Sequence, residues 1–216
     1  MFFKLYDQNS SQGNVNAGSN SQFFFQASSR NHVKNTHFYA TLFIDEIRTT
    51  TIFDPEKSRN QLGFNIGASV TDLGVKYLTL GAEYTRINPF VYQNFIPAED
   101  YTNHGYPLGD WMGANADRLI GYIKYTPIPR LKTTLLVQNT RKGDPGSLLD
   151  QYFAEPQPKF LDSYIFQQTT FQLKLSYEWL NNLYFEGMIQ TQNEKYVSTI
   201  PDRNFKEVRI GMKVGI

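Results

Sequence analysis

Three histidines, His32, His37 and His104, are the residues whose type best suits acid–base or metal chemistry in this chain. None stands in an HxxxH or HExxH spacing, so no zinc site is expected. A hydrolase built on strands would join His37 or His104 to a serine and a carboxylate from neighbouring strands. No GxSxG nucleophile turn is present, and catalysis is not expected. The absence of cysteine removes thiol catalysis, Cys-ligated zinc and disulfide scaffolds together. Asp144, Asp150 and Asp162 could meet calcium in a loop, but their spacing is not that of an EF-hand. Gly105, Gly109 and Gly113 match no phosphate-binding loop and instead permit tight turns. No cofactor and no metal is expected.

What remains is recognition. Residues 88–115 gather Tyr92, Tyr101, His104, Tyr106, Asp110, Trp111 and Asn115. Aromatic faces stack on sugar rings, while Asp and Asn side chains hydrogen-bond hydroxyls, so these residues are candidates for contacting a glycan. The same composition suits a loop that packs on itself over the mouth of a barrel and plugs it. Both readings stay open.

The elements that would position such a loop are strands. Apolar residues occupy every second position at Leu62, Phe64, Ile66, Ala68 and Val70, a period that matches the alternating side-chain direction of a β-strand. Leu78 to Tyr84, Phe171 to Trp179, Leu183 to Ile189 and Val208 to Ile216 repeat the pattern. Residues 23–29, 37–47, 119–125 and 131–140 are further candidates, and residues 2–6 suggest the end of one more. The total is about ten strands. Between the apolar positions stand charges of both signs, including Glu83, Lys124, Lys132, Lys174, Glu178, Glu186, Glu207, Arg209 and Lys213. Such charges could pair across a narrow lumen or coat a solvated outer face.

Composition narrows the class. The chain holds 17 Phe and 14 Tyr among 216 residues, yet its mean hydropathy is −0.46. No run approaches the roughly 18 apolar residues of a membrane-spanning helix. A transmembrane barrel stays possible, because its strands are apolar only at alternate positions. The net charge of +1 is spread along the chain, with no basic stripe for nucleic acid. The links alternate between short and long. Short ones fall at 30–35, 71–74, 127–130 and 180–182. Long ones fall at 7–20, 48–60, 88–115, 141–164 and 193–202. Outer-membrane barrels sort their connections this way, with short periplasmic turns and long extracellular loops. Phe38, Tyr39, Tyr84, Tyr125, Tyr177 and Trp179 lie near strand ends, where an interfacial aromatic girdle would place them. The first residues, MFFKLYD, lack the basic and apolar regions of an export signal. The favoured expectation is the C-terminal portion of a longer chain, the other being a signal already removed.

The stretch 81–146 carries EYTRINP at the end of one strand and YTNHGYPLGDWMGANAD in the following loop. A strand ending in a proline-containing turn comes next, and then a strand leading into RKG. This segment resembles the C-terminal half of outer-membrane proteins of the capsule-assembly Wzi family. The resemblance implies a barrel of about eighteen strands, and a role in holding or organising capsular or exopolysaccharide at the cell surface. The terminal Ile216 departs from the aromatic residue usual at the end of such barrels.

The expectation is thus an all-β, antiparallel, up-and-down transmembrane β-barrel or the C-terminal part of one. It is a single domain with long extracellular loops near 48–60, 88–115 and 141–164, residing in the bacterial outer membrane. Its partners would be outer-membrane lipid, surface polysaccharide and other outer-membrane or export proteins, with no nucleic acid. The alternatives are a channel or transporter component, distinguishable by ion conductance, and a soluble all-β glycan-binding module, which would purify without detergent.

Overall fold

A computed structural model describes residues 22–47, 53–54, 60–94, 100–104 and 106–215. Nine long strands form one antiparallel sheet: β1 (Phe23–Arg30), β2 (Thr36–Glu46), β3 (Gln61–Thr71), β4 (Leu78–Ile87), β7 (Ala116–Ile128), β8 (Leu131–Gly143), β9 (Tyr164–Leu180), β10 (Leu183–Tyr196) and β11 (Arg203–Val214). Each pairs with its neighbours in sequence, giving the expected up-and-down order. A two-residue hairpin, β5 (Thr102–Asn103) with β6 (Tyr106–Pro107), and one short helix, α1 (Leu148–Phe153), interrupt the loops. Among the described residues the sheet is not closed into a barrel, and β1 and β11 are its two edges. The suggested strand at residues 2–6 lies outside the described residues.

The register converts alternation into two faces. One row across the sheet reads Val70, Leu80, Ile123, Leu135, Leu173, Ile189 and Val208, all directly paired. A row on the other face crosses every strand: Gln26, Thr41, Asn65, Thr85, Arg118, Thr140, Gln168, Glu194 and Arg203. A one-residue slip of any strand would set its apolar residues in the polar row, so the patterning holds the register. The mixed charges expected on one face do share it. Leu119, Ile123, Leu135, Val137, Phe171, Leu173 and Ile189 are exposed on the apolar side, a continuous surface rather than scattered single residues. One hollow in it, about 590 Å³, is floored by small residues such as Ala40, Ala68 and Ala82 beside Phe38 and Leu119.

Both faces change character at the long-loop end. The polar face finishes in an apolar rung of Phe43, Gly63, Ile87 and Ala116. The apolar face finishes in a charged one, Arg86, Asp117, Arg141 and Gln167, where Asp117 is ion-paired with Arg141. Aromatics on the apolar face collect towards its two ends. Phe64 and Tyr84 lie near the long loops with ring centroids 5.9 Å apart, and Trp179 and Phe185 lie near the short turns at 5.5 Å. Tyr39 differs from the expectation. Its neighbour Phe38 lies on the apolar face, so alternation puts Tyr39 on the polar one.

Connections at the other end are tight. Asn31, Asn35, Asp72 and Asn182 adopt positive φ there, which Asn and Asp tolerate better than other non-glycine residues. The link at 197–202 is shorter than expected, because β10 runs on to Tyr196, and it is no longer than the turn at 72–77.

Candidate functional site

The loop joining β4 to β7 folds back onto the apolar rung that ends the polar face. Phe43, Ile87 and Ala116 of the sheet pack there with Val91 and Met112 of the loop, and Val91 is fully buried. Tyr92 and Tyr101 stack on each other at 5.6 Å, and both rings lie against Phe43. Burying these groups brings loop backbone against the sheet, and its polar atoms need partners. Asp45 accepts the Tyr92 N–H at 2.8 Å. Lys142 donates to the carbonyls of Met112 and Ala114 at 2.5 and 2.6 Å. Burial is the main reason the Tyr92 phenol sits above its ordinary pKa of 10.0, and the nearby Asp110 carboxylate adds to the rise.

Asn115 is the joint between the two largest loops. It is 2 % exposed and in the left-handed region. Its amide nitrogen donates to the carbonyls of Asp144 and Asp162 at 2.5 and 3.3 Å, and its oxygen accepts the Leu161 N–H at 2.7 Å. The sequence-predicted candidates therefore divide. Tyr92 and Asn115 are structural, and Tyr101 belongs to the same aromatic stack. Asp110 accepts the Met112 N–H and faces Arg118 at 3.4 Å. His104 stands exposed at the turn of the small hairpin. Tyr106 and Trp111 project outward, 76 % and 58 % exposed. Gly105 lies outside the described residues.

A cleft that sequence reasoning missed opens between these loops. It measures about 290 Å³ and is lined by residues 60–62, Arg86, Asn88, Pro89, Phe90 and residues 157–160. The Arg86 guanidinium stacks on the Phe160 ring, 3.7 Å from its centroid, and its Nε donates to Asn88 Oδ1 at 3.0 Å. Lys159, Gln61, Asn88 and Gln157 line the same cleft, and the Gln157 amide nitrogen is held by the Ala154 carbonyl at 2.6 Å. Guanidinium, amides and an aromatic ring in one concave site are the groups that hydrogen-bond hydroxyls and carboxylates and cover a sugar ring. The available signal was Arg86 itself, a charge that breaks the apolar alternation of β4.

The groups weighed for catalysis and metal binding make local hydrogen bonds. His37 Nε2 lies 3.0 Å from Ser28 Oγ on the exposed polar face, and His32 Nδ1 lies 2.9 Å from Ser29 Oγ. No carboxylate completes either pair among the described residues. Asp150 and Ser147 form a reciprocal capping box at the start of α1. Asp144 accepts the Gly146 N–H. No group of three or more potential metal ligands occurs among the described residues. Among the described residues, no helix is long and apolar enough to cross a membrane.

Fold and site together define an antiparallel up-and-down sheet with one apolar and one polar face, capped at one end by two interlocked loops. No protein-family model matches the chain, and neither a curated protein nor a solved structure is significantly similar to it.

Proposed function

We propose that this chain is an outer-membrane β-barrel protein, the C-terminal portion of a barrel of about eighteen strands, that binds and organises capsular or exopolysaccharide at the cell surface. The carrying observation is the Arg86–Phe160 cleft at the long-loop end, the side that faces outward when such a sheet sits in an outer membrane. The exposed apolar face with aromatics near both ends supports the membrane setting. The segment 81–146, through which the chain resembles the capsule-assembly family, includes Arg86 and Asn88. Packing of Val91, Tyr92 and Met112 onto the end of the polar face disfavours a diffusion channel, because in a barrel that face would line the lumen.

The test begins with the chain expressed behind an export signal. Fractionation with outer membranes as a heat-modifiable, β-rich species supports the barrel. Purification as a folded protein without detergent defeats it. Arg86→Ala, in cells that retain normal levels of the folded protein, is then expected to lower capsule retention several-fold. Unchanged retention removes the cleft as the binding site.

A further inference from the structure

The Arg86–Phe160 cleft and the hollows of the apolar face lie on one track. Asn88 extends the β4 ladder by donating its N–H to the Leu62 carbonyl at 3.0 Å. Leu62 and Asn88 line the cleft together with Arg86. Alternation carries the same face down β3 through Phe64, Ile66 and Ala68, and down β4 through Tyr84, Ala82 and Leu80. Ile66, Ala68, Ala82 and Tyr84 border the hollow of about 590 Å³. A second hollow, about 610 Å³, shares Phe38, Ala68 and Ala82 with the first and continues past Gly121 to Leu80 and Ile123. From Arg86 to Leu80 the track spans roughly 20 Å at the rise of a strand.

Its two ends call for different chemistry. Arg86 and Lys159 line the cleft and no carboxylate does. Asp117, opposite Arg86 in the register, is ion-paired with Arg141. The cleft therefore complements a negative ligand, and a phosphate monoester, at about −1.5 to −2 near neutral pH, balances its two cations. Below it stand Phe64 and Tyr84 with ring centroids 5.9 Å apart, the pairing of apolar body and polar tip that suits a headgroup boundary. Beyond them the groove is apolar and floored by small side chains. A free polysaccharide matches the cleft and leaves the groove without a role. A plain fatty chain matches the groove and leaves the two cations without a counter-charge.

We infer that the ligand of this site is an anionic glycolipid of the outer leaflet, its phosphorylated sugar head in the cleft against Arg86 and Lys159 and an acyl chain along the groove at Ala68, Ala82 and Gly121. The inference rests on the cleft and the membrane setting of the proposed function and deepens both: the glycan held there is anchored in the same membrane.

The probe is lipid A, a phosphorylated and acylated glucosamine disaccharide, offered to the detergent-folded chain and followed by native mass spectrometry. Its dephosphorylated and deacylated forms are the controls. One bound molecule per chain is expected, with affinity lowered by about tenfold or more when either phosphate or acyl chains are removed. Arg86→Ala should weaken the two phosphorylated probes and leave the dephosphorylated one unchanged. Ala82→Leu, in the floor shared by both hollows, should weaken the acylated probes alone. Gly121→Leu should act in the same way from a position where an added Cβ meets nothing within 4 Å, and heat-modifiability confirms that each variant is folded. Equal affinity for intact and deacylated probes, or no response to either groove variant, overturns the inference and leaves the glycan cleft standing. Binding that ignores both Arg86→Ala and dephosphorylation is an acyl contact only, and overturns it as well. Tight, phosphate-dependent binding of lipid A, with capsule retention unaffected by Arg86→Ala, removes the polysaccharide role and leaves the glycolipid site in place.

Discussion

Tyr39 on β2 reaches across the whole of β3 to donate a 2.6 Å hydrogen bond to Glu83 on β4. The residue between them in the same row is Gly67, and the Tyr39 ring lies flat over it, in the space that a Cβ there would need. Glu83 in turn faces Arg118 at 3.7 Å, and Arg118 faces Asp110 of the loop. One missing methyl group thus lets a polar chain run from β2 to the docked loop.

Gly67→Ala is therefore expected to push Tyr39 off Glu83 and to lower stability by about 1–3 kcal/mol. In a Tyr39→Ala background the same substitution should cost far less. Thermal unfolding of the four proteins of that double-mutant cycle, in detergent, gives the coupling. A full additive loss would mean that the ring and the glycine act independently.

Loop docking depends on Asn115. Asn115→Ala leaves the Leu161 N–H and the Asp144 and Asp162 carbonyls without their partner, at about 1–3 kcal/mol for each buried group left unsatisfied. Faster amide exchange at residues 110–116 and 160–163, with the sheet unaffected, is the expected pattern. Lys142→Met should loosen residues 110–114 alone, because it holds only the Met112 and Ala114 carbonyls.

The Tyr92 phenol makes loop docking sensitive to alkali. Its folded pKa is raised, so the protonated phenol contributes stability that is complete below the ordinary value of 10.0 and is lost as pH rises through the folded value. Release of residues 88–115 at high pH, followed by phenolate absorbance and by protease cleavage in the loop, should be abolished in Tyr92→Phe. Identical alkaline release in that variant would assign the transition to another group.

Ile189 sits mid-face on β10, in the all-apolar row. In a bilayer, Ile189→Lys is expected to cost about 2–4 kcal/mol and to reduce outer-membrane assembly sharply. On a sheet face bathed in water the same change would be nearly neutral, so normal assembly would count against the membrane setting.

Strand identity and the division into two faces were legible from residues 62–70, 171–179 and 183–190. Side chains in a strand alternate direction with period 2, and only a register that matches apolar rows avoids mixing the faces. Strand length was less legible. β10 runs on to Tyr196, past Asn193 where a long link was expected to begin, because the backbone ladder continues through Asn193 and Glu194 whatever the side chains are. The tertiary structure alone decided that Asn115 joins two loops, and that Arg86 and Phe160 meet across more than seventy residues of sequence. It also decided that the main sheet of the described residues has nine strands, with β1 and β11 outermost and running in the same direction. Those facts depend on how loops fold back and where ladders stop, which are sums of long-range contacts that no local period records.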